Sequence, residues 1–195
     1  MMVVGISGSP RKAGNTEFLL AEALGAAQER GFQTEKILCS DLLLDFCTDC
    51  GDCSRGKPCS KEDDMARVLA ILEKADGIIV ASPVYFGSVT AQLKALFDRT
   101  IPFRRQGLKL KDKFGCGITV GGSRNGGQEK ALDCIHSWMH IHGMIVVGDN
   151  SHFGGIAVRP ASEDRIGRKT VVASANKLCD LLERTENKAS CWGGD

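Results

Sequence analysis

No apolar run in this chain approaches the roughly 18 residues that a membrane-spanning helix needs. An excess of either charge is also missing. Twenty-five Lys and Arg stand against 24 Asp and Glu, a net charge of +1, so charge alone implies neither a nucleic-acid nor a membrane partner. The opening residues, MMVVGIS, lack the basic region, apolar stretch and small-residue cleavage site of a secretion signal, which makes the cytoplasm the expected compartment. No internal repeat, low-complexity segment or linker divides the 195 residues. With hydrophobic residues at 43% and charged residues at 25%, the expectation is one globular domain over 1–185 and a short tail over 186–195. No H-E-x-x-H accompanies His136, His140 and His142, and no Ser-His-Asp or carboxylate-pair spacing commits the chain to hydrolysis.

Cysteine is plentiful. There are nine, an odd number, and four of them fall within thirteen residues. A secreted disulfide scaffold would be shorter and would spread its cysteines among its loops. A tight group in an intracellular chain points to metal.

Apolar, β-branched runs alternate with segments of helical period. Strands are expected at 3–6, 34–38, 77–81, 114–120 and 144–147, and helices at 16–30, 61–75, 90–100, 128–140 and about 164–184. The nearly all-apolar Gly77-Ile78-Ile79-Val80-Ala81 reads as a strand buried on both faces. Five strands alternating with five helices predict an α/β fold with a doubly wound parallel sheet. Ligands in such sheets bind beyond the carboxyl ends of the strands where the order reverses.

Three loops at that end carry the chemistry. Between the first strand and helix lies SGSPRKAGN, residues 7–15. The helix that follows presents unpartnered backbone N–H groups and the positive end of its dipole. Ser7, Ser9, Asn15 and Thr16 add side-chain donors, Arg11 adds charge, and Gly8 and Gly14 let the backbone curl, which together make a phosphate cradle. Neither a Walker A motif nor G-x-G-x-x-G is present, so a single terminal phosphate, such as that of FMN, fits best. Strand 3 leads into Pro83-Val84-Tyr85-Phe86-Gly87, where flat apolar side chains flank backbone able to bond a ring edge; packing as core is the alternative. Strand 4 ends in VGGSRNGGQE, a glycine-rich loop that either approaches a ligand closely or is a plain connection.

The cysteines of CTDCGDCSRGKPC, Cys47, Cys50, Cys53 and Cys59, read C-x2-C-x2-C-x5-C. Thiolates at three-residue steps make a compact cup suited to an iron–sulfur cluster. Zinc, and free or disulfide-linked thiols, are the alternatives. Asp49 and Asp52 inside this loop, and the basic stretch FRRQGLKLKDKF at 103–114, read as solvated. Cys39, Cys116, Cys134 and Cys179 read as small core residues, and Cys191 lies in the tail.

GSPRKAGNT resembles the phosphate loop of flavodoxin-like FMN proteins, above all the NADPH-dependent FMN reductase superfamily, and SPVYFGSVTAQLKALFDR resembles its ring-binding segment. With the cysteine motif added, residues 2 to about 150 resemble the iron–sulfur flavoprotein family. The resemblance implies a flavodoxin-like five-stranded sheet of order 2-1-3-4-5 with a cluster loop at 45–60 after strand 2. It implies that Ser9, Arg11, Asn15 and Thr16 hold the FMN phosphate, and that Pro83, Val84, Tyr85, Phe86 and Gly87, with Gly121, Gly122 and Ser123, border the flavin ring. It also implies a [4Fe–4S] cluster on Cys47, Cys50, Cys53 and Cys59, and homodimers that pair into tetramers. The implied activity is electron transfer from a ferredoxin-like donor to a small oxidant. An NAD(P)H-dependent FMN or quinone reductase with structural or vestigial cysteines is the alternative, and a non-catalytic redox sensor is a third reading.

Overall fold

The computed structural model describes the backbone of residues 1–192 and the side chains of residues 1–186. Strand β1 (Met2–Ser7) lies between β2 (Gln33–Leu38) and β3 (Gly77–Pro83), and β4 (Phe114–Gly121) follows β3, all parallel. The order is β2-β1-β3-β4-β5, the expected flavodoxin-like arrangement.

Alternation along the inner strands explains why they read as continuously apolar. Val3, Ile79 and Ala81 face α1 (Asn15–Glu29) and α6 (Arg165–Trp192), where they meet Leu19, Leu20, Ala23, Val171 and Leu178. Val4, Ile6, Ile78 and Val80 face the other way. They pack with α2 (Met65–Lys74), α3 (Ala91–Arg99) and α5 (Gln128–Ile141) through Met65, Leu72, Leu93, Leu96 and Met139. Each fully buried aliphatic side chain contributes about 1.5–3 kcal/mol, so both faces are held by burial alone.

The fifth strand position departs from expectation. Strand β5 is only Ile145–Val146 and pairs with the start of β4 at Phe114 and Gly115. A sixth strand, β6 (Gly155–Val158), pairs with the far half of β4 from Ile118 to Gly121. Two short strands thus share one edge position, with 147–154 looping out between them. Glycines at 154 and 155 bring β6 close: a Cβ at Gly154 would lie 2.6 Å from the Gly117 carbonyl oxygen.

Other boundaries shift for local reasons. Helix α2 begins at Met65, not 61, because Asp63 and Asp64 turn their carboxylates onto backbone N–H groups. After α3, Thr100 interrupts the helix and α4 (Ile101–Arg105) resumes it, with proline in its first turn. Helix α6 continues to Trp192, past the expected end at 184; the side chain of Cys191 lies outside the described residues. Among the described residues, no helix is long and apolar enough to cross a membrane.

Candidate functional site

The loop after β1 is held in shape by its own side chains. The Ser9 hydroxyl accepts from the Arg11 N–H at 3.0 Å and lies 3.1 Å from the Arg11 carbonyl oxygen, so Ser9 curls the loop. Gly8 lies so near α3 that a Cβ there would sit 2.7 Å from Leu93 Cδ2. The Thr90 hydroxyl caps α3 by accepting from the Leu93 N–H, and it donates to the Gly8 carbonyl at 2.5 Å. One buried hydroxyl therefore ties the first loop to the start of α3. Gly14 precedes α1, and no side chain caps the helix there, which leaves its first N–H groups available to an anion. Asn15 spends its Oδ1 on the Ala161 N–H at 2.8 Å, which draws the approach to α6 against the loop.

Tyr85 and Ser88 exchange backbone bonds at 2.9 and 3.0 Å, closing a two-residue turn. Phe86 and Gly87 both have positive φ, at 51° and 75°, the signature of a type I′ turn. Gly87 adopts that conformation freely, whereas for Phe86 it costs about 1–2 kcal/mol. The Phe86 ring is nevertheless fully exposed and gains nothing from burial. The loop after β4 leans on this turn: a Cβ at Gly127 would lie 3.2 Å from Gly87 Cα.

Between these loops, at the carboxyl ends of β1 and β3, lies a cleft of about 190 Å³. Ser9, Arg11, Asn15, Thr16, Pro83, Val84, Tyr85, Gly121 and Gly122 all line it. Phe86, Gly87 and Ser123 do not. The first two form the reversing turn at the rim, and Ser123 stands beyond, accepting from Gln128 Nε2 at 2.8 Å. Sequence reasoning missed Arg159, which lines the cleft beside Arg11 and donates from Nε to the Gly122 carbonyl at 3.2 Å. It follows the unforeseen strand β6. Two guanidinium groups, free helix N–H groups and a stiff apolar wall fit a phosphorylated planar ligand such as FMN.

The cysteine loop is built differently. Its neck is closed by charge. Asp64 accepts from the Leu43 N–H at 2.8 Å, and Asp63 accepts from the Asp45 and Met65 N–H groups at 3.0 and 3.1 Å. Arg99, at the end of α3 and 3% exposed, bonds Asp63 with both terminal nitrogens, at 2.5 and 2.9 Å, and donates to the Asp45 carbonyl at 2.9 Å. Burial works to raise the Asp63 pKa, but the Arg99 and backbone donors outweigh it and bring it to about 2. Neither Arg99 nor Asp63 carried a signal in the sequence beyond its charge.

Beyond the neck, the loop is open to solvent. Cys47, Cys50 and Cys59 are exposed and Cys53 is half-buried, yet all four line one small cavity, together with Arg99, Ile101 and Pro102. Asp49 and Gly51 take positive φ between the first cysteines and curl the chain. Among the described residues, no three His, Cys, Asp or Glu side chains gather closely enough to hold a single ion.

Residues 1–157 match the family model described as NADPH-dependent FMN reductase. The chain is 55% identical over 183 residues to an iron–sulfur flavoprotein of Methanosarcina thermophila, covering 94% of this chain and 96% of that one. It is 45% identical over 190 residues to an iron–sulfur flavoprotein of Methanocaldococcus jannaschii, covering 94% and 98%. The chain belongs to the iron–sulfur flavoprotein family, within the NADPH-dependent FMN reductase superfamily. It is a flavin oxidoreductase. Among solved structures, an NADH:FMN oxidoreductase in its apo form matches with a TM-score of 0.68 at 24% identity, covering 91% of this chain and 87% of that one. An FMN-dependent NADH-azoreductase from Bacillus anthracis, in complex with FMN, matches with a TM-score of 0.65 at 14% identity, covering 91% and 99%. These structural likenesses show the shared fold.

The remaining residues of note in this iron–sulfur flavoprotein family member have local duties. Asp49 is exposed, but Asp52 is drawn into the cysteine loop, 2.7 Å from Arg55 Nη2 and 3.4 Å from Cys50 Sγ. The basic stretch is not free in solvent. Arg105 bonds Ser54, and Gln106 donates to the Cys53 carbonyl at 3.0 Å, so α4 supports the loop from below. His142 is buried with Nε2 2.9 Å from the Thr100 hydroxyl, and burial, aided by Arg104, pushes its pKa down to about 4. Cys39 is buried and its thiol is pushed up to about 12, so it stays protonated. Cys116 and Cys179 are buried as expected; Cys134 is half-buried, 3.5 Å from the Ser88 hydroxyl.

Proposed function

We propose that this protein passes electrons between one-electron and two-electron partners. In this reading, FMN lies in the cleft and a [4Fe–4S] cluster is bound by Cys47, Cys50, Cys53 and Cys59. The observation that carries it is that the four motif cysteines line one cavity, while the residues of the phosphate loop line a second. FMN supplies chemistry in which two electrons are accepted together and released singly, and a cluster supplies single-electron exchange.

The chain's own part is to bind, orient and exclude. Arg11, Arg159 and the α1 N–H groups hold phosphate charge. Pro83 and Val84 give the ring a stiff apolar wall, and Gly121 and Gly122 allow close backbone approach. The α3 and α4 side chains hold the cysteine cup in shape. The donor is a ferredoxin-like protein and the acceptor a small oxidant such as oxygen, peroxide or a quinone. The exposed mouth of the cysteine loop supports assembly into homodimers or homotetramers that cover it, bringing one subunit's cluster near a neighbour's flavin.

The test is an ultraviolet–visible spectrum with iron, sulfide and FMN analysis on anaerobically prepared protein, followed by rapid mixing with reduced ferredoxin. Near four iron and four sulfide per chain, with one FMN reduced by ferredoxin, is the expected result. Iron missing after anaerobic reconstitution overturns the cluster assignment. A second reading, direct reduction by NAD(P)H, is favoured by the matching family model, which is described as NADPH-dependent. Flavin bleaching by NADPH that is indifferent to Cys→Ser substitution would establish it.

A further inference from the structure

The environment of the cysteine cup is lopsided. On one side, Cys50 Sγ lies 3.4 Å from the Asp52 carboxylate, and the nearby cations are each engaged elsewhere: Arg55 with Asp52, Lys61 with Asp45 and Arg105 with Ser54. On the other side, Arg99 Nη2 lies 3.6 Å from Cys59 Sγ. Arg99 is almost fully buried, and its two terminal nitrogens also bond Asp63 and the Asp45 carbonyl, which fixes the fork beside the sulfur. Hydrogen bonds to ligating sulfurs, and nearby net charge, are the levers by which a protein sets a cluster's potential.

We propose that Arg99 is a positioning residue that tunes the iron–sulfur centre through Cys59, raising its reduction potential, with Asp63 as the counterweight that limits the effect. The inference rests on the cluster assignment proposed above. The step concerned is one electron moving from a one-electron donor to the thiolate-bound centre. The donor is oxidised, the centre gains one negative charge, and no bond is made or broken and no proton is taken up. That added charge is stabilised by an N–H aimed at the Cys59 sulfur. The carboxylate of Asp63 lies behind the guanidinium and offsets part of its charge. The two residues therefore act on the potential with opposite sign, although both brace the same neck.

The experiment is a spectroelectrochemical titration of the reconstituted holoprotein, wild type against Arg99→Gln, Arg99→Lys and Asp63→Asn, with the FMN potential read in the same samples. Arg99→Gln is expected to disfavour reduction of the cluster at least tenfold, a shift of about 59 mV downward for a one-electron couple. Asp63→Asn is expected to shift it upward, leaving the FMN potential unmoved in both. Arg99→Lys, which keeps the charge without the fork, is expected to fall between wild type and Arg99→Gln. If Arg99→Gln does not hold a cluster, the opposite displacements of Arg99→Lys and Asp63→Asn decide. Shifts of the same sign in those two, or none, in a wild type that holds its cluster overturn the role of Arg99 alone. A wild type that takes up no iron removes the cluster assignment and this inference with it.

Discussion

The cleft after β1 and β3 and the cysteine loop after β2 both follow parallel strands in the chain but are made of different material. The cleft is made of backbone: N–H groups at the start of α1, a type I′ turn, and glycines pressed against neighbouring elements. Among the described residues, only Arg11 and Arg159 bring charge to it. The cysteine loop has little backbone order of its own, and its shape is imposed by side chains, Asp63, Asp64 and Arg99 at the neck and Arg105 and Gln106 beneath. A site made of backbone is sensitive to added volume and indifferent to many side-chain exchanges. A site made of side chains has the opposite sensitivities.

Substitution separates the two. Changing any one of Cys47, Cys50, Cys53 or Cys59 to Ser is expected to lower iron content at least tenfold while FMN content stays near one per chain. Cys39→Ala, removing a protonated core thiol, leaves both intact; metal and flavin analysis of the same samples reads the contrast. The mirror experiment is Gly8→Ala. Its Cβ would press 2.7–2.8 Å from Leu93, an overlap expected to cost about 1–3 kcal/mol in thermal unfolding and to weaken FMN binding at least tenfold, with iron retained.

Acid tests the neck. The Asp63 pKa is about 2 in the folded chain, below its ordinary value near 3.8, so its bonds add stability above about pH 4. That stability is lost as the pH falls from about 4 through 2. Unfolding of the metal-free protein should therefore steepen across that window in wild type and less so in Asp63→Asn. The smallest effect is expected at the cleft rim. Phe86→Asn places a residue tolerant of positive φ where an exposed aromatic is strained, which should raise stability by up to about 1 kcal/mol in thermal unfolding.

What the sequence disclosed follows the same division. The strand order and the place of the cysteine loop after β2 were legible because apolar alternation, glycine placement and cysteine spacing are local signals. Nine of the twelve residues expected at the flavin line one cleft. Arg159 was not legible because it follows β6, whose four residues sit among glycines and bends and were read as connection. Arg99 and Asp63 were missed for another reason. Each is an ordinary charged residue in a helical or polar stretch, and their meaning comes from a contact spanning 36 positions. Phe86 was foreseen as a wall of the ring site, but the turn that permits Gly87 to bend also swings the aromatic outward.

Helix α3 touches both sites, one at each tip. Thr90, its cap, grips the carbonyl of Gly8, and Arg99, its last residue, reaches Cys59. Nine residues of α-helix make a rod of about 13 Å that neither stretches nor compresses appreciably. The distance from phosphate loop to cysteine cup is thereby gauged by a count of residues. Inserting one amino acid into that rod would turn its far tip by about 100°, carrying the guanidinium off the sulfur while the near tip kept its grip.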